Sequence, residues 1–207
     1  MAPENYDKEL HKSDLDPNPI VQFNSWLQEA ADEGIKMPER MNLATSTKDG
    51  NPSSRMMLLK GADERGFTFF SNYNSQKARE IEENPHVALN FFWYELQRQV
   101  RIIGTIEKIS EQESDEYFST RPFESQLGAV TSSQSKEIRD RKVLENKYRE
   151  LQKQYKDGKV PRPKEWGGYR VTPSIIEFWQ GRTNRLHDRL VYSLQKDQSW
   201  NIVRLAP

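Results

Sequence analysis

An antiparallel β-barrel with helices packed around it, α+β in class, is the fold this sequence predicts, and three observations predict it. Short runs rich in aromatic and β-branched residues recur from residue 41 to 109 and again after residue 168. Turn signals separate them, the strongest being Asp49-Gly50 between two such runs. Helical patterns are few by comparison, and many short strands with a few helices favour a barrel over a layered α/β sheet.

The elements follow in order. Residues 1–16 are polar and read as a flexible N-terminal segment, leaving 17–207 as one domain. Asn18-Pro19 is an N-cap followed by proline at the first helical position; Ile20, Phe23, Leu27 and Ala30 recur at helical spacing, and Gly34 ends the run. Met41–Thr47 and Ser53–Lys60 form the predicted hairpin, with Phe67–Ser71 as a third strand. Ser75–Glu83 is a short helix ended by Asn84-Pro85, and His86–Tyr94 and Gln99–Ile109 are two more strands. Ser110 and Glu113 form a capping box for a helix that stops before Pro122. A charged helix is expected over Lys136–Lys156, packing a narrow stripe of Leu144, Tyr148, Leu151 and Tyr155. Short strands near Tyr169–Val171, Ile175–Gln180 and Arg189–Leu194 precede a last one at Trp200–Leu205.

Composition narrows the function. Of 207 residues, 34% are hydrophobic and 30% charged, a lean core of the kind often completed by an oligomer interface or a bound cofactor. The 31 basic and 31 acidic residues cancel, which disfavours nucleic-acid binding in bulk. With no cysteine there is no disulfide, thiolate chemistry or Cys-based metal site, and His11, His86 and His187 lack metal-ligand spacing, so no metal is expected. No apolar stretch approaches the ~20 residues a membrane span needs, and the N-terminus has no apolar signal region, so a cytoplasmic protein is expected. G-x-G-x-x-G, Walker A and G-x-S-x-G are all missing, which counts against Rossmann, P-loop and α/β-hydrolase enzymes.

The candidate chemistry lies in clusters of cations and hydroxyls. Trp179 to Arg189 reads W-Q-G-R-T-N-R-L-H-D-R. If Arg185–Arg189 is extended, Arg185, His187 and Arg189 share one face, suited either to an anionic ligand or to a charged edge that deters aggregation. Arg55 and Lys60 end R-M-M-L-L-K five residues apart, so a regular strand points them to opposite faces and toward different groups. Ser75 and Lys77 lie at a helix start, where free N–H groups and the helix dipole suit a phosphate. Tyr117, Arg121 and Ser125 are spaced four apart; Arg121 can pair with a phosphate and Ser125 can cap the next helix. Ser132–Ser135 is another donor-rich helix start. Each cluster alone reads as capping or surface pairing; together they exceed the needs of one phosphate and suit two phosphorylated ligands.

The motifs R-M-M-L-L-K-G, F-F-S-N, R-Q-V-R, Y-F-S-T-R-P-x-x-S-Q-L-G-A, S-S-Q-S, W-G-G-Y, the Trp179–Arg189 run and the terminal R-L-A-P resemble the pyridoxine (pyridoxamine) 5′-phosphate oxidase family, in order from about Asp16 to Pro207. The resemblance implies an FMN-binding split β-barrel, antiparallel and Greek-key-like, and a homodimer with FMN at the interface. It implies that Arg55, Ser71, Lys77 and Ser135 hold the FMN phosphate and ribityl region. Gln99, Gln134, Trp179 and Arg189 would contact the rest of the flavin, with Met56, Leu58, Lys60, Phe70 and Gln76 completing the cofactor set. Lys60, Tyr117, Arg121 and Ser125 would hold the substrate phosphate, and Arg185 and His187 would lie over the pyridine ring as the catalytic pair. The implied reaction oxidises pyridoxine or pyridoxamine 5′-phosphate at C4′ to pyridoxal 5′-phosphate, with hydride passing to flavin N5 and O2 giving H2O2. Two departures stand out: Gln76 replaces the arginine of a usual S-R-K-A, predicting weaker FMN binding, and Pro3 stands where an arginine usually precedes a lid tyrosine matched by Tyr6. The competing readings are another split-barrel flavoprotein such as a flavin reductase, which should lack the Tyr117–Ser125 cluster and the R-x-H-x-R strand of Arg185, His187 and Arg189, and a flavin or pyridoxal phosphate carrier without turnover.

Overall fold

The computed structural model describes residues 8–207; Pro3 and Tyr6 lie outside the described residues. Helix α1 (Pro19–Asp32) starts where the sequence places it, with Asn18 Oδ1 accepting from the Ile20 N–H at 2.9 Å, and Gly34 follows its end at φ 76°. The strands are β1 (Arg40–Ser46), β2 (Pro52–Leu58), β3 (Gly61–Asp63), β4 (Gly66–Asn72), β5 (His86–Trp93), β6 (Arg98–Lys108), β7 (Trp166–Gln180), β8 (Asp188–Leu194) and β9 (Trp200–Leu205). They form one antiparallel sheet in the order β2-β1-β5-β6-β7-β4-β3, with β8 also on β7 and β9 on β8. Helices α2 (Gln76–Glu83), α3 (Glu111–Thr120), α4 (Phe123–Thr131) and α5 (Arg141–Gln154) complete the α+β fold. No helix among the described residues is long and apolar enough to cross a membrane.

Period two decides which face is core. Leu43, Leu89, Ile102, Ile176 and Tyr192 lie in register across β1, β5, β6, β7 and β8, and all are buried. Helix α1 covers this face. Its Phe23 meets Phe67 and Phe91 edge-on at 5.0 and 4.9 Å, and its Trp26 meets Phe178 at 5.0 Å. Each such buried ring contributes about 1.5–3 kcal/mol of apolar transfer. The opposite face carries a second aligned row: Met56, Asn42, Asn90, Arg101, Glu177, Val191 and Val203. Around that row Met56, Phe92, Ile103 and Val203 are exposed. A smaller apolar cluster of Phe118, Leu127, Val160 and Trp166 takes Tyr148 and Leu151 of α5 and its C-cap Tyr155, three of the four residues of the predicted stripe; Leu144 is not part of it.

Four sequence expectations are corrected. The strands expected at Tyr169–Val171 and Ile175–Gln180 are a single strand, β7, running through Pro173. Proline is tolerated there because β7 leaves β4 after Val171 and joins β8 at Ile175, and a bulge opposite Ile103/Gly104 absorbs the irregularity. Helix α5 starts at Arg141 rather than Lys136, because Asp140 Oδ1 caps it by accepting from the Val143 N–H at 3.3 Å. Ser125 does not cap α4; Pro122 is the N-cap and Ser125 lies in the first turn. Ser132–Ser135 opens no helix of its own. Within the N-terminal segment, Leu10 and Leu15 are buried against the domain.

Candidate active site

Two neighbouring constellations and one cross-strand row hold most of the predicted residues; Ser125 and Arg185 lie outside them. The first is a buried polar pocket at the start of α2. Lys77 is 6% exposed, and its Nζ donates to Ser71 Oγ (3.1 Å), Ser75 Oγ (3.1 Å) and Gln134 Oε1 (3.2 Å). Burial and the nearby Arg55 push its ammonium down from 10.5 to about 8, while Glu80 opposes them. Ser135, at φ 67°, turns its Oγ to accept from the Gln76 N–H at 3.1 Å. Ser135 of the S-S-Q-S motif therefore caps α2 from a distant loop in place of starting a helix of its own. Arg55 on β2 donates to Ser53 Oγ (2.6 Å), Leu43 O (3.4 Å) and Glu80 Oε2 (3.2 Å). A buried ammonium held by neutral oxygens, beside a guanidinium and a helix N-terminus, fits an incoming phosphate.

The second constellation is a cavity of about 630 Å3 lined by Met56, Leu58, Lys60, Phe70, Tyr117 and Arg121, with Met37, Arg40, Met57 and Trp166. Phe70 stacks on Tyr117 (3.8 Å between centroids) and on Trp166 (5.4 Å), and the Arg121 guanidinium lies 4.6 Å over the Trp166 ring. Arg121 Nη1 is buried and makes no hydrogen bond among the described residues. Burial pushes this guanidinium down and the Tyr117 hydroxyl up, and each opposes the other's shift. An orphaned cationic donor in a cavity is costly unless an anion satisfies it. Ser125 is not among the lining residues. Arg55 and Lys60 serve different pockets, but not by strand alternation: the strand expected over Ser53–Lys60 ends at Leu58, and Lys60 lies in the link to β3.

On the outer face of the sheet, Gln99, Trp179 and Arg189 are register partners across β6, β7 and β8. Arg189 is held by Glu177 (Nε–Oε1 2.9 Å, Nη2–Oε2 3.1 Å), which raises its pKa and fixes its fork. His187 packs on Trp179 at 4.7 Å, and its Nδ1 accepts from the Arg182 N–H at 3.0 Å, which puts the neutral ring's proton on Nε2. The extended run expected over Arg185–Arg189 is not present. Gln180 pairs with Asp188, so the chain must reverse between them, and Asn184 (φ 56°) and Arg185 (φ 61°) make the left-handed turn. Arg185 is exposed on that turn and shares no strand face with His187 and Arg189.

Sequence reasoning did not single out Glu80, Glu177, Trp166, Met37, Arg40 or Met57. A signal existed for Glu80, four residues after Gln76 on a helix, and for Glu177, two residues from Trp179 on a strand. Trp166 and Met57 stood inside quoted motifs, whereas nothing local marks Met37 or Arg40.

A curled antiparallel sheet ringed by helices, with a pocket of cations and hydroxyls beside an aromatic-lined cavity, defines a split-barrel protein. Two solved structures share it. A PhzG from Burkholderia lata, in complex with tetrahydrophenazine-1-carboxylic acid, has a TM-score of 0.91 at 31% identity, covering 98% of this chain and 100% of that one. A pyridoxamine 5′-phosphate oxidase-related, FMN binding protein from Nostoc punctiforme has a TM-score of 0.72 at 15% identity, over 93% and 100%. Residues 27–155 match the family model of pyridoxamine 5′-phosphate oxidase, and residues 166–207 that of the pyridoxine 5′-phosphate oxidase C-terminal dimerisation region. Proteins named pyridoxine/pyridoxamine 5′-phosphate oxidase are 55% identical in a Nostoc species and 54% in Rubrobacter xylanophilus, each over 96% of this chain and 92% and 91% of their own. The chain belongs to the pyridoxamine 5′-phosphate oxidase family.

Proposed function

We propose that this protein is an FMN-dependent oxidase. It converts pyridoxine 5′-phosphate plus O2 to pyridoxal 5′-phosphate plus H2O2. With pyridoxamine 5′-phosphate it also consumes water and releases ammonia. The observation that carries the reading is the buried, unsatisfied Arg121 Nη1 beside Lys60 and Tyr117, next to a separate phosphate-suited pocket around Lys77. One anion site within the aromatic cavity and a separate one around Lys77 suit two phosphorylated ligands.

Arg55, Ser71, Gln76, Lys77, Gln134 and Ser135 hold the phosphate and ribityl end of FMN, with Met56, Leu58 and Phe70 alongside and Gln99, Trp179 and Arg189 at the ring system. Bound FMN supplies a two-electron acceptor that oxygen re-oxidises. Lys60, Tyr117, Arg121 and Ser125 anchor the substrate phosphate, whose binding energy fixes the pyridine ring for reaction. His187, with its proton on Nε2, acts as a hydrogen-bond donor that orients the substrate rather than as the base in its neutral form. Arg185 contributes a fixed cation over the ring. Neither Arg185 nor His187 lines the cavity of Lys60, Tyr117 and Arg121; on this reading a second copy brings them to it. A homodimer with FMN at the interface is in keeping with the match of residues 166–207 to a dimerisation region.

An anaerobic absorption spectrum tests the reading directly. A flavin band near ~450 nm should bleach on adding pyridoxine 5′-phosphate and return with air, with peroxide formed. A bound band that does not bleach would instead support the carrier or flavin reductase reading.

A further inference from the structure

The phosphate-suited pocket contains a carboxylate, which by charge alone is out of place. Glu80, on α2, is 5% exposed. Its Oε2 accepts from Arg55 Nη2 (3.2 Å), Ser53 Oγ (2.6 Å) and Thr45 Oγ1, and its Oε1 accepts from Gln76 Nε2 at 2.8 Å. One side chain thus joins β1, β2 and the first turn of α2. Burial works against its charge, yet the hydrogen bonds from Ser53, Thr45, Gln76 and Arg55 bring its pKa down to about 2, so it is ionised at neutral pH. By Coulomb's law an anion here opposes a second anion, and it halves the net charge of Arg55 and Lys77. A role other than charge must offset that repulsion.

We propose that Glu80 is a positioning residue: it fixes the Arg55 guanidinium and the Gln76 turn of α2 in the arrangement that receives the FMN phosphate. The inference rests on the FMN reading above. Arg55 is a long side chain on a strand, and Lys77 sits on a helix; of the groups that hold the guanidinium, Leu43, Thr45 and Ser53 belong to the sheet, and Glu80 is the charged one and the one that ties it to α2. Glu80 bonds directly to Arg55 and acts on Lys77 through its charge. It also engages Gln76, the residue standing in place of the family's arginine, so a neutral amide is held at the helix start by the same carboxylate. The energetic logic is preorganisation: ordering two cationic groups before binding reduces what the ligand must order on arrival.

Charge and position make opposite predictions for one substitution. FMN binding, read by quenching of flavin fluorescence, should weaken about tenfold in Glu80→Gln although the pocket gains net positive charge. Glu80→Asp, which keeps the charge but withdraws the carboxylate by one methylene, should weaken binding too. In an Arg55→Ala background, Glu80→Gln should cost little more, the mark of a shared interaction. Thermal melts of the flavin-free variants check folding, and Glu80→Asp keeps the test decisive if the glutamine variant does not fold. Glu80→Gln binding FMN as tightly as the parent or more tightly, or Glu80→Asp binding like the parent, overturns the proposal while leaving the cofactor reading intact. A parent protein that does not quench FMN at all overturns the cofactor reading and this proposal with it.

Discussion

If Lys77 holds the FMN phosphate as proposed, this single buried residue couples protonation to ligand binding. Its folded pKa of about 8 lies below the ordinary 10.5, so the folded flavin-free protein binds this proton less tightly than the unfolded chain. The stability it contributes is fully present above 10.5 and lost as pH falls through about 8. Phosphate binding has the opposite requirement, since only the ammonium pairs with an anion. FMN affinity should therefore fall about tenfold between pH 7 and 9, following the protonated fraction, and Lys77→Met should flatten that dependence. Titrations that show no change across this range would remove Lys77 from the phosphate site. At this scale the sequence was readable where a residue sat on or just beyond a regular element: Lys77 in the first turn of α2, Arg55 on β2, and Arg121 one position past α3, sharing a cavity with Tyr117. It was unreadable where backbone geometry decides. Arg185 adopts φ 61° because a reversal is needed between Gln180 and Asp188, and no local residue type announces that need.

Strand β7 does the most positioning of any element, since it pairs with β4 through its first half, β8 through its second, and β6 along both. Its partner exchange falls where Gly104 faces Pro173. A Cβ on Gly104 would lie 2.1 Å from Thr172 O and 2.9 Å from Pro173 Cα, both backbone atoms that cannot yield as a side chain would. Gly104→Ala should therefore destabilise the protein by about 1–3 kcal/mol in chemical denaturation, and an unchanged midpoint would mean the bulge shifts freely. Such a bulge is also why the sequence read β7 as two strands: proline is a breaker by local rules, and tolerance depends on the strand having no partner on that side there. Helices with their own caps, α1 and α3, were legible to within a residue or two, because the signal lies inside the segment. The loop over residues 132–140 was not, since Ser135 caps a helix more than fifty residues away, bonding to Gln76.

For the whole molecule, the two faces of the sheet pose different problems. The inner face is covered by α1, whereas the outer face leaves Met56, Phe92, Ile103 and Val203 exposed around Arg101 and Glu177. A second copy covering that face would bury these apolar groups and bring Arg185 and His187 to the other subunit's cavity. Sedimentation should show a dimer, and Phe92→Asp, at 52% exposure in one chain, should shift it toward monomer and lower FMN affinity together. A dimer unaffected by this change would move the interface elsewhere. The order in which the chain leaves the ribosome adds a further consequence of β7's place in the sheet. β4 and β6 are made early, yet the strand that lies between them spans Trp166–Gln180 near the C-terminus. Until it emerges, both have unpaired edges and the barrel cannot close. Pairing across such long separations makes for slow folding and a nascent chain open to edge-to-edge association. Productive synthesis should then depend on chaperone capacity during elongation more than on the stability of the finished dimer.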